Sequence, residues 1–282
     1  MAPSTASKKR AAPTGPSPAA RLWLIAYNLV SFFLWALVLS VTLKHLLLGP
    51  QTAAAPTRFA ERVLERLRPL RGAVYTPRLA ARLPAPLRVL LQRSSTLHAH
   101  VGGLVAFTQS LAVLEILHAA TGLVRSPVPT TTIQVFSRLL LVWGVSERFD
   151  AAASSPFYAS MILAWSITEC VRYPFYAGGL MGSEGEGLLW ARYTLFYILY
   201  PLGAGSEAQL MFSTLPKNWF WQKGAVWGPV DYVFLALYVA WWPGLYVMYT
   251  HMMRQRRRAL GKGLWGDKRT QIKVAEKQRK GQ

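Results

Sequence analysis

Long apolar runs alternate with short polar segments along this chain, and the length of the runs decides the structural class. A helix needs about 20 apolar residues to cross the hydrocarbon core of a bilayer. Six runs approach this length, some with isolated polar residues: 22–43, 100–124, 130–145, 156–176, 188–205 and 230–250. The pattern predicts an all-α polytopic membrane protein whose six transmembrane helices form one bundle over residues 21–252.

The segments outside the predicted helices are basic. Residues 1–20 are rich in Pro, Ser and Ala and predict a disordered cytosolic tail. Residues 253–282 form a second basic tail, also expected in the cytosol. Residues 49–95 repeat apolar side chains at helical spacing among arginines, which indicates an amphipathic helix on the membrane surface. An even number of crossings puts this basic connection on the luminal side, against the positive-inside tendency, so its topology stays open.

The net charge of +20 suggests a nucleic-acid-binding protein until the charges are located. They concentrate in the two tails and in the first connection, where basic residues set topology and contact anionic lipids. The sequence contains no recognisable nucleic-acid-reading module. Membrane lipids are therefore predicted partners, and nucleic acid is not.

Metal, thiol and nucleotide chemistry find little support in the sequence. Cys170 is the single cysteine, which excludes an intrachain disulfide and a thiolate metal cluster. Tyr176 stands where a thiol phosphatase would carry an arginine, six positions after Cys170. The five histidines are scattered, and no glycine-rich nucleotide motif follows a strand. We therefore expect neither a metal nor a cofactor.

The strongest candidate chemistry lies in residues 190–207. Tyr193, Tyr200 and Glu207 are spaced by seven, which places them on nearly the same face of a helix. Pro201 and the glycines that follow it predict a kink nearby. A carboxyl group and a phenol that face one low-dielectric site can transfer protons. Spacing alone leaves an alternative open, in which Glu207 is a solvated residue at a helix end and Tyr200 an interfacial aromatic.

Other ionisable residues lie within the predicted helices, and most are expected to form polar contacts there. Glu115 and His118 share a helix face and predict either a polar pair that holds helices together or a wall of the active cavity. Glu169 and Arg172, three residues apart, predict an intramembrane ion pair rather than a direct substrate contact. Arg138 is predicted to be the structural partner of a buried acid.

Four blocks of the sequence resemble the very-long-chain 3-hydroxyacyl-CoA dehydratases, also described as protein tyrosine phosphatase-like membrane proteins. They are LEILHAATGLVR at residues 114–125, QVFSR at 134–138, WSITECVRYPFY at 165–176 and RYTLFYILYPLGAGSE at 192–207. The resemblance implies a six-span protein of the endoplasmic reticulum that catalyses the third step of each fatty-acid elongation cycle, which also supplies sphingolipid precursors. The long connection over residues 49–95 departs from what the family leads us to expect.

The resemblance also implies which residues act. The family's catalytic tyrosine and glutamate correspond to Tyr200 and Glu207. Dehydration of a 3-hydroxyacyl-CoA to the trans-2-enoyl-CoA needs a base for the C2 proton and an acid for the departing C3 hydroxyl. We expect Glu207 to be the base and Tyr200 the acid, although the roles could be exchanged. Arg192 and Tyr193 are expected to orient this pair or to meet the thioester.

The expected partners are the 3-hydroxyacyl-CoA substrate, membrane lipids and other enzymes of fatty-acid elongation. Arg125 and Arg172 are candidates to attract the CoA phosphates. Arg279 and Lys280 form an imperfect match to a retrieval signal of the endoplasmic reticulum. The alternative function is a non-catalytic scaffold that binds elongase subunits. The presence of both Tyr200 and Glu207 favours the enzyme.

Overall fold

The computed structural model describes residues 16–49, 84–183 and 185–261, and the regular structure in these ranges is entirely helical. The α-helices of the described ranges are α1 (Pro18–Leu48), α2 (Ala85–Ser110), α3 (Val113–Ala120), α4 (Val128–Leu139), α5 (Asp150–Ala153), α6 (Pro156–Met181), α7 (Glu186–Thr194), α8 (Phe196–Ser213) and α9 (Pro229–Leu260). A π-helical segment, Leu140–Ser146, continues α4. The predicted all-α class is confirmed. Most of both predicted tails and of the 49–95 connection lies outside the described residues, as does the retrieval signal.

Four helical stretches of the described chain are long and apolar enough to cross a membrane: Pro18–Leu48, Ala85–Ala120, Val128–Ser146 and Pro229–Leu260. They coincide with the first, second, third and sixth predicted spans. The fourth and fifth predicted spans fall on α6 and on α7 with α8, which are not among these candidates. Both regions are less apolar on average, since α6 carries Glu169 and Arg172 and the α7–α8 region carries Arg192 and Glu207.

Helix α6 lies at the centre of the bundle. It packs against α1, α2, α7 and α8, so most of its surface faces other helices. It shares a buried core with Trp35 and Val38 of α1, Leu97 and Val101 of α2, and Leu210 and Met211 of α8, all nearly inaccessible to solvent. A helix enclosed in this way can carry polar side chains at membrane depth, because they face protein partners instead of lipid.

Helix ends are stabilised by local and by tertiary contacts. Ser17 caps α1 and Ser155 caps α6, each followed by a proline whose missing N–H is not needed in the first turn. At the other end of α1, the Arg93 guanidinium donates to the carbonyl oxygens of Leu46 at 2.9 Å and Leu47 at 2.5 Å. Because the last carbonyls of a helix have no partner within it, this contact ties α2 to α1.

Pro201 lies inside α8, and the kink predicted near it stays a prediction. The regular helix is interrupted earlier, at Leu195, and α8 then continues through Pro201. Proline has no N–H to donate to the carbonyl four residues before it, which here belongs to Tyr197. The Tyr249 hydroxyl of α9 donates to that carbonyl oxygen at 3.5 Å. A tertiary hydrogen bond thus replaces the one that the proline removes.

Helices α6 and α8 approach closely at Gly203. A Cβ atom at this position would lie 3.3 Å from Cβ of Ala164. On the same interface the hydroxyls of Ser160 and Ser206 are 2.6 Å apart. Small residues permit such an approach between helices in a membrane. At Gly205, by contrast, a Cβ atom would meet no other atom within 4 Å.

We predict that Gly203→Val destabilises the protein and that Gly205→Val does so far less. The valine methyls at 203 would push α8 away from α6, an overpacking effect of about 1–3 kcal/mol. Each kcal/mol corresponds to a shift of roughly 2–4 °C in Tm for a chain near this size. Thermal unfolding of the detergent-solubilised variants measures the difference. Equal Tm values for the two variants would contradict the close approach at Gly203.

Candidate active site

Glu207 lies well inside α8, and its side chain is half-buried against α6. Its carboxylate oxygen Oε1 accepts a hydrogen bond of 2.6 Å from the indole Nε1 of Trp165. Trp241 of α9 and Arg138 of α4 are close enough to influence the same carboxyl group. Side chains from three other helices therefore surround Glu207. This placement contradicts the alternative in which it is a solvated residue at the helix end.

Tyr200 precedes Glu207 by two turns of α8 and is half-buried. Its ring stacks on that of Tyr249 from α9, with 6.5 Å between the ring centroids and 23° between the planes. The Tyr200 hydroxyl lies close enough to the Glu207 carboxylate to interact with it electrostatically. Within the described ranges no residue hydrogen-bonds to this hydroxyl, so it is available to a bound molecule.

Arg192 and Tyr193 lie on α7, on the other side of the interruption at Leu195. The Arg192 Nη2 donates to the Tyr176 hydroxyl at 2.8 Å, and its guanidinium lies 4.8 Å over the Phe175 ring. Tyr193 packs against the same guanidinium, 5.8 Å away. The contacts described for both residues therefore lie in a separate aromatic cluster, away from Tyr200 and Glu207. The interruption in the helix divides the polar face that the seven-residue spacing predicts.

A network of two acids and two arginines lies beside the site. Glu169 of α6 is fully buried and accepts hydrogen bonds from Arg138 of α4 and from Nε of Arg172, the latter at 2.5 Å. Arg172 also makes a paired contact with Glu115 of α3, with Nη1 to Oε2 at 3.0 Å and Nη2 to Oε1 at 2.8 Å. The predicted Glu169–Arg172 ion pair is confirmed, as is the pairing of Arg138 with a buried acid.

The network continues from Glu115 to α1. The hydroxyls of Tyr173 and Tyr27 donate to Oε1 of Glu115 at 2.8 and 3.2 Å. His118 does not pair with Glu115; its Nε2 accepts from the indole of Trp23 at 2.9 Å. Glu115 and His118 thus hold α3 against α1 and α6, in line with the first of the two interpretations. A role as a wall of the active cavity stays a prediction.

Trp165 joins this network to Glu207. The Arg138 guanidinium lies 5.1 Å from the centre of the Trp165 ring, while the indole N–H of Trp165 donates to Glu207. Sequence reasoning missed Trp165, although a signal existed: it precedes Glu169 by four residues and so shares a helix face with it. The roles of Trp241, Tyr249 and Tyr27 had no comparable signal, because each comes from a distant helix.

Within the described ranges, no group of three or more His, Cys, Asp or Glu side chains is placed to hold a metal ion. The site is instead composed of a carboxylate, a phenol, two indoles and an arginine. Such groups bind organic substrates through hydrogen bonds and transfer protons, as general acids and bases do.

A family model described as protein tyrosine phosphatase-like protein, PTPLA, matches residues 109–262, which is more than half of the chain. The chain belongs to this family. The match contains Glu115, Glu169, Arg172, Tyr200 and Glu207. Helix α1, with Tyr27 and Trp23, lies outside it, so the contacts of α1 with the network extend beyond the matched region.

Three relatives carry the name of one enzyme activity. A probable very-long-chain (3R)-3-hydroxyacyl-CoA dehydratase of Schizosaccharomyces pombe is 48% identical over 157 residues, 55% of this chain and 73% of that protein. The very-long-chain (3R)-3-hydroxyacyl-CoA dehydratase PASTICCINO 2 of Arabidopsis thaliana is 40% identical over 166 residues, 55% and 74%. Very-long-chain (3R)-3-hydroxyacyl-CoA dehydratase 2 of Homo sapiens is 35% identical over 165 residues, 55% and 64%. No solved structure matches the chain.

In this member of the PTPLA family, we predict that Glu169→Gln strongly lowers stability. The substitution leaves two arginines beside a neutral amide in a buried site, and breaking a buried ion pair costs about 3–5 kcal/mol. Asp150→Asn is the matched control, since Asp150 is exposed at the start of a short helix. Thermal unfolding in detergent should show a large fall in Tm for the first variant and almost none for the control. Similar Tm values for both would show that the network contributes little stability.

Proposed function

We propose that this protein is a very-long-chain 3-hydroxyacyl-CoA dehydratase, a hydro-lyase that converts 3-hydroxyacyl-CoA to trans-2-enoyl-CoA. This is the third step of the fatty-acid elongation cycle. The observation that carries the proposal is the arrangement on α8: Glu207 is turned toward Trp165 of α6 and lies near Tyr200, and both belong to a chain related to proteins named for this activity. No external cofactor is required by the chemistry.

The reaction removes a proton from C2 and a hydroxyl from C3. The thioester carbonyl acidifies the C2 proton, and the Glu207 carboxylate accepts it. The electrons of the C–H bond form the C2–C3 double bond as the C3–O bond breaks. The Tyr200 hydroxyl donates a proton to the departing oxygen, which leaves as water. Return of the proton from Glu207 to Tyr200 restores the starting state, and each acid or base contribution is typically worth 10²–10⁴-fold.

Three arginines that are candidates to contact the substrate differ in whether acidic side chains already neutralise their charge. Arg172 is held by Glu169 and Glu115, which neutralise its charge and weaken the case for it as a CoA-phosphate ligand. Arg125 is exposed in the turn between α3 and α4 and stays a candidate for that role. Arg192 on α7 is still proposed to lie near the thioester. The contacts described for it are with aromatic side chains, Tyr176 among them.

The same proposal includes six membrane crossings, with α6 and the α7–α8 pair added to the four candidate spans. Support comes from the packing of α6 against α1 and α2, which cross beside it. Arg21 at the start of α1 donates to the Leu180 carbonyl near the end of α6 at 2.5 Å, so these two ends share one face of the membrane. We assign that face and both termini to the cytosol, in the endoplasmic reticulum, with other elongation enzymes as partners.

We predict that Glu207→Gln and Tyr200→Phe each lower kcat by at least about 10²-fold, because each removes one proton-transfer group. Tyr197→Phe is the matched control: it lies on the same helix, and its ring is partly exposed. The assay incubates detergent-solubilised protein with a long-chain 3-hydroxyacyl-CoA and follows the 2-enoyl product by mass. The control should keep kcat within a few-fold of wild type.

Two outcomes would contradict this proposal. Full activity in either Glu207→Gln or Tyr200→Phe would remove that residue from the reaction. Absence of product from folded wild-type protein, across several chain lengths, would overturn the enzyme and favour the scaffold that binds elongase subunits.

A further inference from the structure

The contact between Trp165 and Glu207 has a specific geometry. The indole Nε1 of Trp165 donates to one carboxylate oxygen, Oε1, at 2.6 Å, and only 3% of Trp165 is exposed. An indole N–H is a donor only and has no lone pair to take a proton. It can therefore hold the ionised carboxylate without competing for the proton that Glu207 accepts. A hydrogen bond to an ionised group is shorter and stronger than a neutral one.

Trp165 is itself held from several sides. The Arg138 guanidinium lies 5.1 Å from the ring centre, and Arg138 is bound by the buried Glu169. Trp35 meets the ring edge-on, with centroids 6.5 Å apart and an angle of 76°. On the side of α8, a Cβ atom at Gly203 would lie 4.0 Å from Cδ1 of Trp165. The indole is thus fixed by contacts that do not involve Glu207.

We propose that Trp165 is a positioning residue for the catalytic base: its N–H fixes Oε1 of Glu207, so that the second oxygen is presented to the C2 proton of the substrate. This inference rests on the proposed dehydratase function. Without the N–H, the carboxylate loses the hydrogen bond that restrains Oε1 and spends less time in the reactive orientation. A displacement of about 1 Å at a reacting group can cost 10²-fold in rate. Substrate binding, which uses other groups, should change little.

The test compares two tryptophans that each donate one hydrogen bond. Trp165→Phe removes the donor to Glu207 and keeps an aromatic ring. Trp143→Phe is the control, because the Trp143 indole donates at 3.1 Å to the hydroxyl of Ser110 on α2 and not to Glu207. We expect Trp165→Phe to lower kcat about 10- to 100-fold, with KM within about three-fold of wild type. Trp143→Phe should leave both constants near the wild-type values, with Tm measured for each protein.

A donor-restoring variant separates positioning from packing. Trp165→His keeps a ring N–H in a smaller side chain, so it should recover part of the kcat lost in Trp165→Phe. A merely structural role predicts the opposite order, since histidine fills the cavity less well than phenylalanine. If Trp165→Phe does not fold, Trp165→His decides alone: at least about a tenth of wild-type kcat supports the inference, and a loss as complete as that of Glu207→Gln overturns it.

The outcomes distinguish this inference from the proposed function. Active wild type with an inactive Glu207→Gln variant and an unimpaired Trp165→Phe variant would overturn the positioning role alone. An equal loss in Trp165→Phe and Trp165→His, with KM raised in parallel, would also overturn it and indicate a packing role. Inactive wild type, or a fully active Glu207→Gln variant, would overturn the dehydratase proposal itself.

Discussion

The arrangement of the bundle depends on one buried carboxylate, that of Glu169. An isolated ion at this depth would be too costly, because the low-dielectric interior does not solvate it. Arg138 from α4 and Arg172 from its own helix compensate that charge. Arg172 also forms an ion pair with Glu115 on α3. Three helices are thereby fixed to one another at a single point. Removing any member leaves an uncompensated charge in the interior.

The candidate active site takes its geometry from this network. Arg138 lies over the ring of Trp165, and Trp165 in turn donates to Glu207. The path from the buried ion pair to the proposed base therefore contains one cation–aromatic contact and one hydrogen bond. Such a connection fixes position without adding a second proton-transfer group beside Glu207. Tyr200 stays free of this network, and its ring rests instead on Tyr249 of α9.

The polar character of α6 also explains the membrane architecture. A helix that faces lipid on one side needs an apolar surface there, as α1 and α9 have. A helix surrounded by others can instead place Glu169, Arg172 and Tyr173 at membrane depth, provided that each finds a partner. Helix α6 is therefore more polar than the four candidate spans because it lies at the centre of the bundle.

The sequence by itself determined the all-α membrane class, most helix positions, the family and the two residues proposed to transfer protons. These follow from local quantities: the length of apolar runs, the helical period and short motifs. Pairs within one helix, such as Glu169 and Arg172, were predictable for the same reason. The interruption at Leu195, the partners Tyr27 and Trp241, and the contact of Trp165 with Glu207 were decided only by the tertiary structure. A contact between helices depends on their rotation and depth, which the packing of all side chains fixes together and no local spacing records.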